Sequence, residues 1–366
     1  MTTPEENWEY GLRTEGHEAT SAVEGPVILG EGDFRYEVSA TNWGNLPEGW
    51  VYKEATAVDV DSRDNIYVFN RGTCPMIIFD REGNMVRTWG DGVFKNPHGV
   101  TIAPDDTVFC VDNGDSTVRK FTPEGKLLMT LGTANRPSPT MSGRPFSVPA
   151  HVAVDKRTGE FYVADGYSNA CVHKYTPDGK LLFSWGESGT GEGQFNIVHN
   201  IATDSEGWVY VADRENHRIQ VFSPNGRYET QWGNLSRTAA ICINDLTGED
   251  LVYIGEYFCG IATNSIGANL GPRVTIMNTN GKVLSLVGRE SYGDQAGRFY
   301  SPHGIAVDSY GDIYVAEVSW SDYGNRMDPP RELRSMQKLV NVRDWIADFR
   351  CHASPIQPYR GLREEA

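Results

Sequence analysis

Histidine recurs at the start of several similar segments, and this recurrence indicates a metal site. The chain has eight histidines, and four of them stand in comparable contexts: NPHGV (His98), VPAHVAV (His151), IVHNI (His199) and SPHGI (His303). Converging neutral imidazoles provide the nitrogen ligands that zinc prefers. Three of them, with an open position for water or substrate, describe a catalytic site better than a closed structural one. The chemistry indicated is therefore metal-assisted catalysis.

A repeat brings these segments together. Similar segments that begin with a strand and mostly end in Trp-Gly or Leu-Gly cover residues 56–90, 98–132, 151–186, 199–233 and, less regularly, 239–288, and a further one opens at residue 303. Each copy has alternating strands separated by glycine-rich turns, which is typical of a four-stranded propeller blade. Because one such sheet cannot bury both of its faces, six blades are expected to pack radially around a channel. The sequence therefore predicts an all-β, six-bladed β-propeller.

The two ends of the chain are expected to behave differently. The sixth copy lacks an outer strand, and DFRYEVSATNWG near the start of the chain has the alternation to supply it. The segment RELRSMQKLVNVRDWIADF, after Pro329-Pro330, has apolar residues at roughly helical spacing. It predicts an amphipathic C-terminal helix that packs on the propeller, supports an oligomer or covers the channel. The predicted division is an N-terminal arm (1–33), a propeller (34–328) and a helical extension (329–366).

Composition limits the partners and the location. The chain has 33 Lys and Arg against 49 Asp and Glu, a formal net charge of -16. Such a surface repels nucleic acid and anionic membranes. The first thirty residues are polar and acidic, and no run of residues is apolar enough for a membrane span. The six cysteines are scattered without a CxxC pair, so we expect reduced thiols and a cytoplasmic protein.

The first strand of each blade lines the channel, so residues at one repeat position form a ring around the axis. The four histidines occupy that position in blades 2, 3, 4 and 6, whereas blades 1 and 5 keep the strand without the histidine. They are either metal ligands or repeat residues that hydrogen-bond across the channel mouth, and the selective placement favours the metal site. Imidazole ligands alone leave zinc and ferrous iron as alternatives.

Polar residues that follow the second strands are expected at the same end of the channel. Most are acidic and are expected to brace turns, but Arg71 in FNRG, Arg214 in ADREN and Tyr167 in ADGY are different. An arginine facing a metal site is costly unless it meets an anion, so a substrate carboxylate is the expected partner of Arg71 and Arg214. A tyrosine beside a metal ion and an arginine can act as a general base, which is the role expected of Tyr167.

These residues resemble those of NHL-repeat propellers, and within them those of the peptidyl-α-hydroxyglycine α-amidating lyases. The resemblance covers roughly residues 50 to 320 and is carried by FNRGTCP, NPHG, VADGYSNACVHKYTPDGKLLFSWGE, GQFNIVHNIA, VADRENHRIQVF and SPHGI. It implies that three histidines hold zinc, that a tyrosine is catalytic and that two arginines bind substrate. The matching residues are His98, His199 and His303 for zinc, Tyr167 for catalysis, and Arg71 and Arg214 for the substrate.

The chain also departs from that pattern. Gly304 stands where the family has an aspartate associated with calcium, so the sequence disfavours calcium. Ser168 follows the tyrosine where animal members have a disulfide-forming cysteine, which agrees with a reducing compartment. His151 is an addition, and it is interpreted as a fourth ligand, a proton shuttle or a substrate contact.

The function predicted from the residues and the resemblance is that of a zinc-dependent lyase. It would cleave a carbinolamine-like or related α-hydroxy small molecule that bears a carboxylate. One alternative is a metal-dependent hydrolase or hydratase that uses the same channel site, since bound zinc also generates hydroxide near neutral pH. A second alternative is a non-catalytic NHL propeller that binds other proteins.

Overall fold

The chain folds into six sheets arranged around one axis. A computed structural model describes residues 26–39, 43–246, 248–257, 271–289 and 292–342. In these residues five sheets have four antiparallel strands and the sixth has five. The innermost strands of successive sheets contact one another in a closed ring. The protein is therefore an all-β, six-bladed β-propeller, and this prediction is confirmed.

Each blade runs from an inner strand at the channel to an outer strand at the rim. The strands of blades 1 to 3 are Ala55–Val60, Ile66–Asn70, Met76–Phe79 and Met85–Trp89; Pro97–Ile102, Val108–Asp112, Thr117–Phe121 and Leu127–Leu131; His151–Val154, Phe161–Asp165, Cys171–Tyr175 and Leu181–Trp185. Those of blades 4 and 5 are Val198–Thr203, Val209–Asp213, Arg218–Phe222 and Tyr228–Trp232; Arg237–Asn244, Leu251–Tyr257, Arg273–Asn278 and Val283–Val287. Those of blade 6 are Pro302–Val307, Ile313–Glu317, Met336–Asn341, Phe34–Val38 and Ile28–Glu31.

Little other regular structure is present in the described residues. A parallel pair joins Glu187–Ser188 to Gln194–Phe195, and the short helices are Arg214–Asn216 (3₁₀), Ser319–Asp322 (α) and Gly324–Arg326 (3₁₀). Within the part of the chain that the structure covers, no helix is long and apolar enough to cross a membrane.

The hydrophobic core lies between neighbouring blades. Because side chains of a strand alternate between its two faces, each blade offers one set of side chains to the blade before it and one to the blade after it. Ile66 and Ile77 of blade 1, for example, belong to one buried cluster with Tyr314 of blade 6. The second strand of every blade is buried along its whole length. This packing fixes the ends of the second strands, where the candidate site residues stand.

The tryptophans that end the repeats hold adjacent blades together. Trp89, at the end of the outer strand of blade 1, lies over Gly125 in a turn of blade 2, where an added Cβ would be 2.6 Å from the ring. Trp232 covers Gly281 in the same way, with an added Cβ 2.5 Å from its Nε1 atom. Both glycines have a positive φ, which other residues rarely adopt. The turn glycines therefore serve both the turn and the contact between blades.

Both ends of the chain close the ring in blade 6. Phe34–Val38 pairs with Met336–Asn341, which in turn pairs with Ile313–Glu317. The predicted contribution of the N-terminal segment to the outer part of the sixth blade is confirmed. Ile28–Glu31 adds one further strand, so the sheet also includes part of the segment predicted as an arm.

The predicted C-terminal helix is wrong for Met336–Asn341, which form a strand. The apolar residues Met336, Leu339 and Val340 fit a helical period, but the second strand of blade 6 offers an unpaired edge to this segment. Pairing with that edge satisfies backbone groups that would otherwise be buried without partners, and it overrides the local pattern. The propeller therefore extends to Asn341 and does not end at residue 328. The rest of the predicted helix, with Ile346 and Phe349, lies outside the described residues.

Candidate metal centre and active site

Irregularities at the start of three inner strands aim the candidate ligands at the axis. In blades 2, 4 and 6 the strand register skips one residue, and the skipped residues are His98, His199 and His303. Such a β-bulge leaves one residue out of the ladder and redirects its side chain. All three histidines are buried, with exposed fractions of 2%, 1% and 5% in that order. Alternate blades thus contribute one imidazole each to the channel.

The three imidazoles form one compact group. The ring centroids of His98 and His199 are 5.1 Å apart, and the His303 centroid lies 4.7 Å and 4.6 Å from these two. One nitrogen of each ring lies within 4.8 Å of the others. In the described residues this is the one group of three or more histidine, cysteine or carboxylate side chains with the spacing of a metal site. We refer to these three histidines as the triad.

Backbone carbonyls of the following blades fix the tautomer of the triad. Nδ1 of His98 lies 2.8 Å from the Ala150 carbonyl oxygen, and Nδ1 of His199 lies 2.7 Å from that of Ala239. Nδ1 of His303 contacts the carbonyl of Thr56 in the same way. A carbonyl can only accept, so each Nδ1 must carry the proton and each Nε2 must be a free lone pair. This is the arrangement found around metal-binding histidines, in which the outer nitrogen donates to a carbonyl.

The hydroxyl of Tyr167 lies between two of these lone pairs. Its oxygen is 2.9 Å from Nε2 of both His98 and His199, and it accepts a bond from Nη1 of Arg214 at 3.2 Å. A phenol has one proton to donate, so only one of the two imidazoles can receive it. The other contact sets two lone pairs against each other. A cation among the three nitrogens would remove this conflict, so the residues fit a metal ion.

Burial keeps the triad neutral. It lowers the pKa of His98 and His199 well below the usual value, with nearby charged groups adding to the effect. It lowers the pKa of His303 to about 3, although the hydrogen bond to Thr56 acts in the opposite direction. Neutral imidazoles are the form that binds metal.

The low pKa of His303 predicts acid destabilisation of the metal-free protein. The unfolded chain binds a proton at this histidine below pH 6.5, whereas the folded protein does not until about pH 3. Stability from this group is complete above pH 6.5 and is lost as the pH falls toward 3, by about 1.4 kcal/mol per pH unit. In chelator, His303→Gln should therefore reduce the slope of unfolding free energy against pH by that amount between about pH 6 and 4. Urea unfolding at several pH values measures it, and equal slopes for both proteins would contradict the assignment.

Arg71 reaches the triad from blade 1, but it already has an anionic partner. Its Nη1 bonds to Glu54 at 2.7 Å, and its Nε donates to the Pro97 carbonyl at 3.1 Å. Glu54 is 1% exposed and also accepts bonds from the amide and hydroxyl of Ser321. Glu54 therefore offsets the charge of Arg71 within the protein, and the binding of a substrate carboxylate by Arg71 stays a prediction. Nη2 makes no hydrogen bond to the described residues and remains available to a ligand.

Arg214 also has a protein anion as a partner. Its Nε bonds to Glu215 at 2.8 Å, and Glu215 in turn bonds to Arg237 at 2.7 Å. Burial tends to raise the pKa of Glu215, but the hydrogen bond from Arg237 and the charges of both arginines lower it. Tyr257 lies beside this network, with its ring centroid 6.1 Å from that of His303 and 5.4 Å from the Arg237 guanidinium carbon.

The sequence did not lead us to Arg237, and it placed Tyr257 at this end of the channel, together with Glu256, without indicating a role for it. The position of Tyr257 in the repeat indicates its importance. It directly follows the last acidic residue of the second strand of blade 5, and Arg214 directly follows Asp213, the corresponding acidic residue of blade 4. The acidic residues themselves have the bracing role that was expected. Asp112, for example, accepts bonds from the amides of Lys95 and Asn96 at 2.6 and 2.9 Å.

His151 does not share the repeat position of the triad. It pairs in register with Ala164, which lies directly before Asp165 at the end of the second strand of blade 3. In blade 2 the residue at that place is Val111, directly before Asp112, and its partner is Gly99. His151 is therefore equivalent to Gly99, one residue after His98. It lines a channel cavity of about 420 Å³ whose lining includes Asn200 but no triad residue. The structure does not group His151 with the metal site, and a contact between His151 and substrate stays a prediction.

Comparison with known proteins agrees with this architecture. Residues 195–222 match the NHL repeat. The chain is 35% identical over 258 residues to peptidyl-alpha-hydroxyglycine alpha-amidating lyase 1 of Drosophila melanogaster, an alignment that covers 65% of this chain and 45% of the relative. It is 36% identical over 205 residues to human NHL repeat-containing protein 3, with 52% of this chain and 58% of the relative covered. The alignments thus span about half the length of these relatives.

Among solved structures, a streptogramin B lyase has a similar fold. Its TM-score is 0.54 at 11% identity, with 83% of this chain and 97% of that structure covered. At that identity the likeness concerns the fold alone.

The chain is therefore a six-bladed β-propeller with an NHL repeat. In sequence it is similar to the peptidyl-alpha-hydroxyglycine alpha-amidating lyases, and the resemblance inferred from its motifs is confirmed.

Proposed function

We propose that this protein is a metal-dependent lyase that cleaves a carbinolamine-like or related α-hydroxy small molecule bearing a carboxylate. The observation that carries the proposal is the convergence of three neutral imidazoles, two of which also contact the Tyr167 hydroxyl through Nε2. The similarity to amidating lyases supports the choice of lyase chemistry. The same similarity extends to an NHL repeat-containing protein whose name states no activity, so the reaction needs a direct test.

The triad would hold the metal through Nε2 of His98, His199 and His303. Zinc suits three neutral nitrogen ligands with one open position, and ferrous iron is the alternative. When bound, such an ion supplies a Lewis acid that favours loss of the proton from a substrate hydroxyl. The carbonyls that accept from each Nδ1 keep the rings oriented and the Nε2 atoms unprotonated.

Tyr167 would remove the proton from the substrate hydroxyl. This role is supported by the position of its oxygen, which is within hydrogen-bond distance of two triad nitrogens. As the oxygen loses its proton, its electron pair forms the carbonyl double bond and the carbon–nitrogen bond breaks. The departing nitrogen keeps the pair from that bond and takes up the proton that the Tyr167 phenolate removed from the hydroxyl. Nη2 of Arg71 would hold the substrate carboxylate, while Glu54 keeps the guanidinium in position.

The remaining proposals concern the surroundings of the protein. The net charge of -16 disfavours nucleic acid and anionic membranes as partners. The four cysteines that the structure describes are all free thiols, which supports a cytoplasmic location. Association into oligomers remains a proposal. The C-terminal helix that suggested it is not available for this role at Met336–Asn341, because these residues form a strand.

A small carbinolamine tests the reaction. N-benzoyl-α-hydroxyglycine carries a hydroxyl, a carboxylate and a carbon–nitrogen bond that a lyase would break. The zinc-loaded protein is expected to release benzamide and glyoxylate, and protein treated with chelator should release neither above the rate of the buffer. Chromatography of the benzoyl product gives the answer directly.

The same assay in H₂¹⁸O separates the lyase from a hydrolase. A hydrolase would cleave the amide and yield benzoate with one ¹⁸O atom, whereas the lyase yields unlabelled benzamide. If benzoate were the sole benzoyl product, the protein would be a hydrolase and the lyase proposal would be wrong. No product from this or related α-hydroxy compounds, together with no bound metal, would favour a non-catalytic propeller.

A further inference from the structure

A third arginine faces the candidate site and has no role in the proposed reaction. Arg237 begins the inner strand of blade 5, two residues before the position that carries histidine in the neighbouring blades. It pairs across the sheet with Tyr257. Its side chain is 26% exposed, in contrast to 9% for Arg214. Of the two, Arg237 is therefore the more open to a ligand.

Three guanidinium groups around the triad keep unused hydrogen-bond donors. Arg71 uses Nε and Nη1, Arg214 uses Nε and Nη1, and Arg237 uses Nε and Nη2. The other terminal nitrogen of each group makes no hydrogen bond within the described residues. None of the three is a buried atom without a partner, so each reaches open space. These nitrogens can still bind an oxyanion.

The arginines stand on different sides of the triad. Arg71 belongs to blade 1, whereas Arg214 and Arg237 belong to blades 4 and 5, on the far side of the ring. The charge of Arg71 acts on His98 and His303, and that of Arg214 acts on His199 and His303. One carboxylate held at Arg71 therefore leaves the donors of the other two arginines unoccupied.

The charge around the triad also leaves room for two anionic groups. Three arginine cations face the carboxylates of Glu54, Glu215 and Asp322, and Asp322 acts electrostatically on Arg214 and Arg237. The site is thus close to neutral before any metal binds. A divalent ion held by three neutral imidazoles adds two positive charges, which a dianionic substrate would neutralise.

We propose that Arg214, Arg237 and Tyr257 form a second oxyanion subsite across the triad from Arg71, so that the substrate is a small α-hydroxy dianion. The second group is a carboxylate or a phosphate, since guanidinium binds both. This inference rests on the proposed function for the α-hydroxyl, but its binding test does not require turnover.

Tyr257 completes this subsite as a positioning residue. Its ring lies close to both guanidinium groups, with their carbons 6.0 Å from its centroid for Arg214 and 5.4 Å for Arg237. Such cation–π contacts hold a guanidinium in place without using its hydrogen-bond donors. The unused donors of Arg214 and Arg237 therefore remain available to a ligand.

Matched hydroxy acids test the subsite by calorimetry on zinc-loaded protein freed of excess metal. Lactate carries one carboxylate, malate and 2-hydroxyglutarate carry two at different spacings, and 3-phosphoglycerate carries a carboxylate and a phosphate. At least one dianion should bind about 10-fold more tightly than lactate, the usual order for an added charge-assisted hydrogen bond. The dianion that gains identifies the second group.

Variants assign that gain to the arginine. Arg237→Gln should remove most of the advantage of the dianion and leave lactate binding nearly unchanged, whereas Arg71→Gln should weaken both. Tyr257→Leu should reduce the advantage, and Tyr257→Phe should keep it because the ring is retained. Arg87→Gln is the matched control, since Arg87 is an exposed arginine on the outer strand of blade 1. Thermal unfolding of each variant checks that the propeller is intact.

Two results would overturn the subsite: no dianion binds better than lactate, or Arg237→Gln weakens lactate and dianions equally. These outcomes differ from failure of the proposed function. If dianions bind through Arg237 but no substrate is cleaved, the subsite stands and the lyase does not. If N-benzoyl-α-hydroxyglycine is cleaved but the arginine makes no difference to dianion binding, the lyase stands and the subsite does not.

Discussion

Replacing His199 with alanine is expected to abolish tight metal binding. Wild-type protein purified without a histidine tag should contain about one equivalent of zinc or iron, as expected for three imidazole ligands with one open position. The variant keeps only two of the three imidazole ligands. Loss of a residue that merely orients a ligand costs about 10- to 100-fold in affinity, and loss of the ligand itself should cost more. Mass spectrometry of the purified proteins measures the metal content.

His151→Ala is the matched control for this experiment. His151 is a half-buried channel histidine, and desolvation lowers its pKa to about 4, but it lies outside the triad. The control should retain its metal. Added zinc should raise the unfolding temperature of the wild type and of His151→Ala, but not that of His199→Ala, because only a folded site gains from binding. Equal metal content in all three proteins, or none in the wild type after zinc is added, would remove the metal site.

The repeat explains why much of the fold was predictable. Strand alternation, Asp-Gly and Glu-Gly turns and terminal tryptophans appear in most copies, and each has a local physical cause that survives in the structure. Gly125, for example, is required by both its turn and the Trp89 ring. The sixth blade is different, because its strands come from both ends of the chain. The sequence of Met336–Asn341 does not indicate that this segment pairs with an open strand edge. The spacing of its apolar residues also fits a helix.

The three metal-binding candidates were predictable because a histidine recurs at one repeat position. The different position of His151 was not predictable, because it depends on the strand register. His98, His199 and His303 sit on the β-bulges of alternate blades, and their common position is visible in the sequence. The corresponding bulges of blades 1 and 5 hold Thr56 and Ala239. His151 looks equivalent because it also opens an inner strand. The residue that takes the bulge position in blade 3 is Ala150, whose carbonyl binds His98. A shift of one residue in register redirects a side chain, and sequence alone does not reveal it.

The charge partners of the arginines were also hidden. Glu54 and Arg71 lie in one blade, but Ser321, which bonds to Glu54, is far away along the chain. Glu215 is next to Arg214 in sequence, yet its bridge to Arg237 joins two blades. Motifs predicted that Arg71 and Arg214 face the channel, but not Arg237 and not the anions that these arginines meet. The arginines are therefore not unpaired in the structure. An anionic substrate is supported instead by the hydrogen-bond donors that these arginines leave unused.

Replacing Tyr167 with phenylalanine is expected to stop turnover while leaving the metal bound. The substitution removes one hydroxyl and keeps the edge-to-face contact of the ring with His98, whose centroid is 5.1 Å away. Loss of a positioned general base typically lowers the rate by about 10²- to 10⁴-fold. Tyr167 is not one of the nitrogen ligands, and its removal also ends the contact in which two lone pairs oppose each other. Metal content should therefore equal that of the wild type, and kcat for N-benzoyl-α-hydroxyglycine should fall by this factor.

Tyr210→Phe provides the matched control, because Tyr210 is a buried tyrosine whose hydroxyl bonds to Asp204 at 2.9 Å, away from the triad. It should keep wild-type turnover even if its stability is lower. A phenylalanine at position 167 removes the proton acceptor but no substrate-binding arginine, so the loss should appear in kcat with little change in KM. If Tyr167→Phe instead raised KM alone, the hydroxyl would be a binding group. If it lost the metal, the phenol would be a ligand, and another group would have to take the proton.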